Sequence, residues 1–331
     1  MSTEKPNWFQ TALIMRGSVL PTILPRIFLF GGIGGLVSLM DYSGLPFDSE
    51  GLGDLTNNVA CNLVLGLLLV FRTNTAYERF WEGRRAWGML VVNICNLARE
   101  IQVGIAEPDA VSREEKQKVL NWLSAFAIAT KLHLRQQSIN NELDTLTGTE
   151  VRSHLVQSHN PPLALLLFIS DYLQQQCQQQ RLDSSQRYLL AELLNNLVEG
   201  VTNCERILTT PMPIAYSVYL KRLIIIYCGL LPFSLVEGLH WWTGPIVATI
   251  SFVLLGIEEI GNEIEDPFGT DPNDLPLDDI CKTVLDSVES AKQFTLGCSQ
   301  TALLENGSFP PTHPVAQIEI HPSLSLENQA S

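Results

Sequence analysis

Residues 27–40, IFLFGGIGGLVSLM, contain no charge, and extending the run back through Arg26 and Pro25 to Val19 reaches the ~20 residues that span a hydrocarbon core. The pattern predicts a first membrane helix. Gly31, Gly32, Gly34 and Gly35 would weaken an exposed soluble helix but permit close helix contact inside a membrane. A buried Gly-rich soluble helix is the other reading of the same run. Residues 59–71, VACNLVLGLLLVF, form a second apolar stretch that flows straight into RTNTAYERFWEGRRAWG, so a helix here leaves the membrane and continues in water. Residues 223–257 hold two further apolar stretches joined by EGLHWWTG. Trp241 and Trp242 suit a membrane–water boundary, and the pattern reads as a tight helical hairpin.

Between these runs, residues 72–222 are polar with helical apolar spacing in segments such as KVLNWLSAFAIATKLHLR, and strand alternation is hard to find. After Ile257 the charges turn acidic. From about Gly307 the chain is aperiodic and rich in Pro and Ser, the composition of an unfolded tail. The expected organisation is therefore 1–71, an N-terminal segment with membrane helices 1 and 2, the second over 59–71; 72–222, a cytosolic helical domain; 223–257, membrane helices 3 and 4; 258–306, a cytosolic helical segment with an acidic Pro-Phe-Gly loop; and 307–331, a disordered tail.

Charge sets the expected orientation. Lys5, Arg16 and Arg26 precede the first run, Arg72, Arg79, Arg84 and Arg85 follow the second, and Lys221 and Arg222 precede the third. The connections on the other side carry no Lys or Arg, and the one between the first two runs carries Asp41, Asp48, Glu50 and Asp54. By the positive-inside bias, both termini and the 72–222 domain are cytoplasmic in a four-span protein of the plasma (inner) or thylakoid membrane. No secretory signal precedes the first run, which is expected to stay in the protein.

Of the 331 residues, 46% are hydrophobic and only 17% charged, yet the mean hydropathy is +0.13, so a few spans must be joined to a large polar part. The net charge of −14 argues against a nucleic-acid partner, which requires clustered cations. Seven scattered cysteines without a C-x-x-C pair argue against a disulfide framework or zinc site, and the six histidines share no ligand spacing. No nucleophile, metalloprotease or phosphate-loop motif appears, so neither an enzyme nor a cofactor is expected.

Three blocks, GLLLVFRTNTAYERFWEGRRAWG at 66–88, CERILTTPMPIAYSVYLKR at 204–222 and IGNEIEDPFGTDPNDLPLD at 260–278, resemble the bestrophin family of ion channels, the first especially its bacterial and plant-plastid branch. The resemblance implies an all-α membrane protein assembled as a homopentamer around a central pore, with the second membrane helix lining a hydrophobic neck. Carried over by motif, the neck residues are Leu63, Leu67 and Phe71. Their i, i+4, i+8 spacing independently places them on one helix face, where ordinary packing is the plainer reading. An apolar constriction can gate by dewetting.

The calcium-activated members hold calcium through an acidic run after the Pro-Phe-Gly. Here Asp271, Asn273 and Asp274 stand at those positions with only two carboxylates, short of the six to eight oxygens calcium prefers, so the loop reads as structural and no metal is expected. Arg72 and Arg79 are candidates for an anion-attracting cluster; alternatively Arg79 pairs with Glu82 at i, i+3 on a solvated helix. The expected function is conduction of monovalent anions, chloride by default, with lipid and further copies of the chain as the other partners. A cation-selective pore of the same kind and a non-conducting membrane scaffold are the alternatives.

Overall fold

A computed structural model describes residues 17–44 and 56–294, and among these every regular element is helical. The helices are α1 (Leu20–Tyr42), α2 (Val59–Gly104), α3 (Ala110–Leu134), α4 (Asn141–Gln157), α5 (Pro161–Gln178), α6 (Ser184–Thr209), α7 (Ile214–Leu239), α8 (Thr243–Glu263) and α9 (Leu277–Gln293). The expected tail, Cys298, and Asp48, Glu50 and Asp54 lie outside the described residues. The six described cysteines are free thiols.

Leu20–Tyr42, Val59–Gly104 and Ile214–Glu263 are long and apolar enough to cross a membrane. At about 1.5 Å per residue α2 is about 69 Å long, more than twice a ~30 Å hydrocarbon core, so it must extend far into water. Asn58 starts it: its Oδ1 accepts from the Ala60 amide at 2.9 Å and so satisfies one of the free N–H groups of the first turn.

The Ile214–Glu263 stretch reverses at a single 3₁₀ turn, His240–Trp242, where His240 takes a φ of 45°. Both of its ends return to the same turn of α2. Tyr216 donates through its hydroxyl to the Leu68 carbonyl at 2.9 Å, and Gly261 packs on Arg72 and Thr73. The stretch is therefore a hairpin, as its sequence predicts, but α7 starts at Ile214, nine residues before the apolar run at Leu223. Lys221, read from sequence as flanking the span, lies within the helix and reaches the buried Glu258 of α8 at 3.6 Å.

Two cores hold the chain. One gathers Ile23, Ile27 and Phe30 of α1 with Leu65 and Leu69 of α2 and Ile224, Val247 and Leu255 of the hairpin. Around it, Phe28, Leu29, Leu36, Ile225 and Ile226 remain more than half exposed. An apolar surface of that extent suits lipid or another copy rather than water. The larger core lies along the distal part of α2, from Trp87 to Ile101, and is closed by α3, α4, α5, α6 and α9. The amphipathic α9 contributes Leu277, Cys281, Val284 and Val288, the i, i+4, i+7, i+11 positions of one face.

α1 and α8 cross at a small-residue contact. A Cβ on Gly34 would lie 3.0 Å from the Gly244 Cα, and one on Gly31 would lie 3.0 Å from the Ala248 Cβ. Gly32 and Gly35 are different: a Cβ on either would meet open space. At the far end of the crossing the Ser38 hydroxyl donates to the His240 carbonyl at 2.7 Å, and the Tyr42 and Trp241 rings sit 5.4 Å apart.

Candidate functional site

The two faces of α2 divide sharply. Leu65, Leu69, Arg72 and Ala76 recur at the helical period and are all at most 3% exposed, so this face is consumed by the chain's own packing. The opposite face carries Leu63, Leu67 and Phe71, exposed by 70%, 50% and 54%. All three sequence-predicted neck residues thus fall on one exposed apolar stripe, with nothing among the described residues packed over it. Intrachain helix packing, the plainer reading, does not account for them.

Arg72 and Arg79 lie elsewhere on the same helix and do other work. Arg72 is 1% exposed, and its Nη2 donates to Glu265 Oε2 at 2.6 Å. Glu265 Oε1 in turn accepts from the Met212 amide at 2.9 Å. Burial pulls the Glu265 carboxyl upward, but the Met212 amide, the Arg72 guanidinium and the Arg79 charge together outweigh it and leave it below the usual range.

Arg79 donates to the carbonyls of Ile207 at 2.7 Å, Thr210 at 2.5 Å and Glu265 at 3.3 Å. Ile207 and Thr210 lie at the C-terminal end of α6, where carbonyls lack helical partners and the helix dipole favours a cation. Arg79 therefore caps α6. The i, i+3 pairing with Glu82 expected from sequence is not made, because Glu82 is taken by Arg206 of α6. Both arginines, the candidates for an anion-attracting cluster, join α2 to the end of α6 and to the segments after α6 and α8. Glu265 and Met212, the partners of Arg72, were missed because they lie 193 and 140 residues away in sequence.

The Pro-Phe-Gly loop is docked rather than open. Phe268 is 1% exposed, and a Cβ on Gly83 would come within 3.2 Å of its ring, so any larger residue there would require the loop to shift by a few tenths of an ångström. Arg135 Nε donates to the Gly269 carbonyl at 3.0 Å. The residues at the calcium positions serve turns and contacts: Asp274 Oδ2 accepts from the Asp271 amide at 2.7 Å, and Asn273 Nδ2 donates to the Gly17 carbonyl at 3.0 Å and to Glu263 Oε2 at 2.6 Å. Burial, with the charges of Asp271 and Asp266, pushes the Asp274 carboxyl up. An acidic cleft of about 420 Å³ adjoins the loop. Among the described residues, no group of three or more His, Cys, Asp or Glu has a metal-holding arrangement.

Residues 1–290 match the family model of the bacterial and fungal bestrophin proteins. A voltage-dependent anion channel-forming protein of a Nostoc species is 52% identical over 289 residues, covering 87% of this chain and 93% of the relative. The corresponding Synechocystis protein is 45% identical, with 87% and 92% covered. The crystal structure of a bacterial bestrophin homolog from Klebsiella pneumoniae superposes with a TM-score of 0.72 at 27% identity, over 82% of this chain and 98% of that one. With three apolar helical stretches of membrane-crossing length and a family match running almost the full length of the described residues, the chain is an integral membrane protein belonging to the bestrophin family.

Proposed function

We propose that the chain is the subunit of a homopentameric channel that passes small monovalent anions, chloride by default, through a neck of Leu63, Leu67 and Phe71 from each copy. The observation that carries this reading is the apolar stripe of α2, unpartnered among the described residues while the opposite face is fully packed. Several copies arranged about an axis would bring the stripes together as stacked apolar rings. Removing water from an ion in such a passage costs so much that a small change in width switches conduction.

The relatives named as voltage-dependent anion channel-forming proteins support the choice of anions. The proposed arrangement has four spans, α1, the first part of α2, α7 and α8, with both termini and the helices from α3 to α6 in the cytoplasm. Arg26, Lys221 and Arg222 at one end of these spans support that orientation. The loop after α8, with two carboxylates at the calcium positions, one of them, Asp274, already accepting from the Asp271 amide, acts in this reading as a structural clamp.

A cation-selective pore is the second reading, favoured by the acidic stretch between α1 and α2, which would gather cations at the mouth. Recording from the purified full chain in planar bilayers under asymmetric potassium chloride separates the two. A reversal potential displaced toward the chloride equilibrium value is expected. Displacement toward the potassium value transfers the assignment to cations, and no conductance under any gradient leaves a scaffold.

A further inference from the structure

The stripe that forms the neck does not end at Phe71. At about 100° per residue, Leu63, Leu67 and Phe71 occupy an arc of about 80° on α2, and Asn74, Glu78, Trp81 and Arg85 fall within that same arc over the next four turns. All four are exposed. The helix is unbroken from Val59 to Gly104, so the angular register established at the neck carries through to these positions.

What distinguishes Glu78 and Arg85 from the neighbouring charges is that they both lie on the arc and, among the described residues, are left without a partner. Arg72 is tied to Glu265, Arg79 to three carbonyls and Glu82 to Arg206, all three directed away from the arc or at its edge. Among the described residues, neither Glu78 nor Arg85 has an ion pair or hydrogen bond. Arg84, equally exposed and equally unpaired, lies about 100° from the centre of the arc.

We propose that Glu78 and Arg85 form two opposed charge rings on the pore-facing stripe beyond the Phe71 end of the neck, and that together they set the anion-to-cation preference of the channel. This rests on the neck reading above. The acidic ring lies about 10 Å and the basic ring about 21 Å along the helix from Phe71, each at or beyond the ~8 Å screening length, so each acts on the ions passing it. Five like charges each about 10 Å from an axial ion, weakened by water and salt, alter its local concentration on the order of threefold. The basic ring enriches anions, and the acidic ring opposes it closer to the neck.

The test is the chloride-to-potassium permeability ratio of the full chain in planar bilayers, from reversal potentials in asymmetric potassium chloride at low and high ionic strength. Glu78→Gln is expected to raise the ratio, and Arg85→Gln to lower it, each about threefold at low salt and less at high salt. Arg84→Gln and the charge-preserving Arg85→Lys keep the wild-type ratio. If Arg85→Gln fails to assemble, the response of Glu78→Gln alone decides the question. An unchanged ratio in Glu78→Gln and in any Arg85→Gln that assembles, a change in Arg84→Gln as large as in Arg85→Gln, or equal changes in the Lys and Gln variants overturns the proposal. Substitution of the neck residues tests the neck independently, so an altered neck variant alongside unaltered charge variants sinks the rings alone.

Discussion

Replacing Glu265 by Ala is expected to destabilise the folded protein by about 3–5 kcal/mol, because it leaves the Arg72 guanidinium buried without a countercharge. Arg72 is 1% exposed, and the carboxylate is its one ion-pair partner among the described residues. Arg72→Met is expected to cost less. Glu265 is 17% exposed in the side chain, and it keeps the Met212 amide and the nearby Arg79 charge after Arg72 is gone. Thermal unfolding of the detergent-solubilised protein, read as loss of monodisperse material on a sizing column, checks both the size and the order of the effects. Equal small losses in both variants would show that the pair is dispensable. The same pair sets a pH dependence. The folded carboxyl titrates below its unfolded value of 4.5, so its contribution is fully present above pH 4.5 and is lost as the pH falls through the lower folded value.

Gly34→Leu is expected to cost more than the ~1–3 kcal/mol of ordinary core over-packing, because the new side chain meets backbone instead of a movable side chain. A Cβ at Gly34 already lies 3.0 Å from the Gly244 Cα, so α1 and α8 must separate along their crossing. Gly32→Leu, two residues away in the same run, points into open space within the chain and is expected to leave α1 on α8. Stability in detergent and the yield of assembled protein distinguish the two. Equal tolerance of both substitutions would contradict the close crossing.

The long apolar helices were legible in the sequence because a segment suited to hydrocarbon must satisfy its own backbone and present apolar side chains all round, which leaves long uncharged runs. The continuation of α2 past Phe71 was legible for a related reason: nothing in RTNTAYERFWEGRRAWG breaks a helix strongly enough to stop it. Which glycines touch was not legible. Gly31, Gly32, Gly34 and Gly35 are equivalent by composition, and only the direction in which α8 crosses leaves Gly31 and Gly34 without easy room for a Cβ.

The arginines illustrate the same limit. Local spacing offers Arg79 a partner at Glu82, but the C-terminal carbonyls of α6 compete for it and Arg206 takes Glu82, both through contacts more than 120 residues apart in sequence. The helical residues of α7 before Leu223 were not legible, because Lys221 and Arg222 look like a boundary. In the fold, Lys221 finds a carboxylate on α8 at 3.6 Å, so the helix runs through it. For Leu63, Leu67 and Phe71 the spacing gave the shared face but not its surroundings, which follow from the burial of Leu65, Leu69 and Arg72 on the other side.

The central claim is that this stripe faces an ion path, and the most direct measurement is the current carried by the triple variant Leu63→Ala, Leu67→Ala, Phe71→Ala. A buried Leu or Phe cut to Ala typically costs about 2–5 kcal/mol, whereas a side chain facing a pore costs far less. Removing three apolar rings also shortens the dewetted stretch and widens the passage. The variant is therefore expected to assemble like the wild type and to show higher conductance or open probability in planar bilayers. A variant that loses the folded oligomer, or assembles with no gain in current, would contradict it.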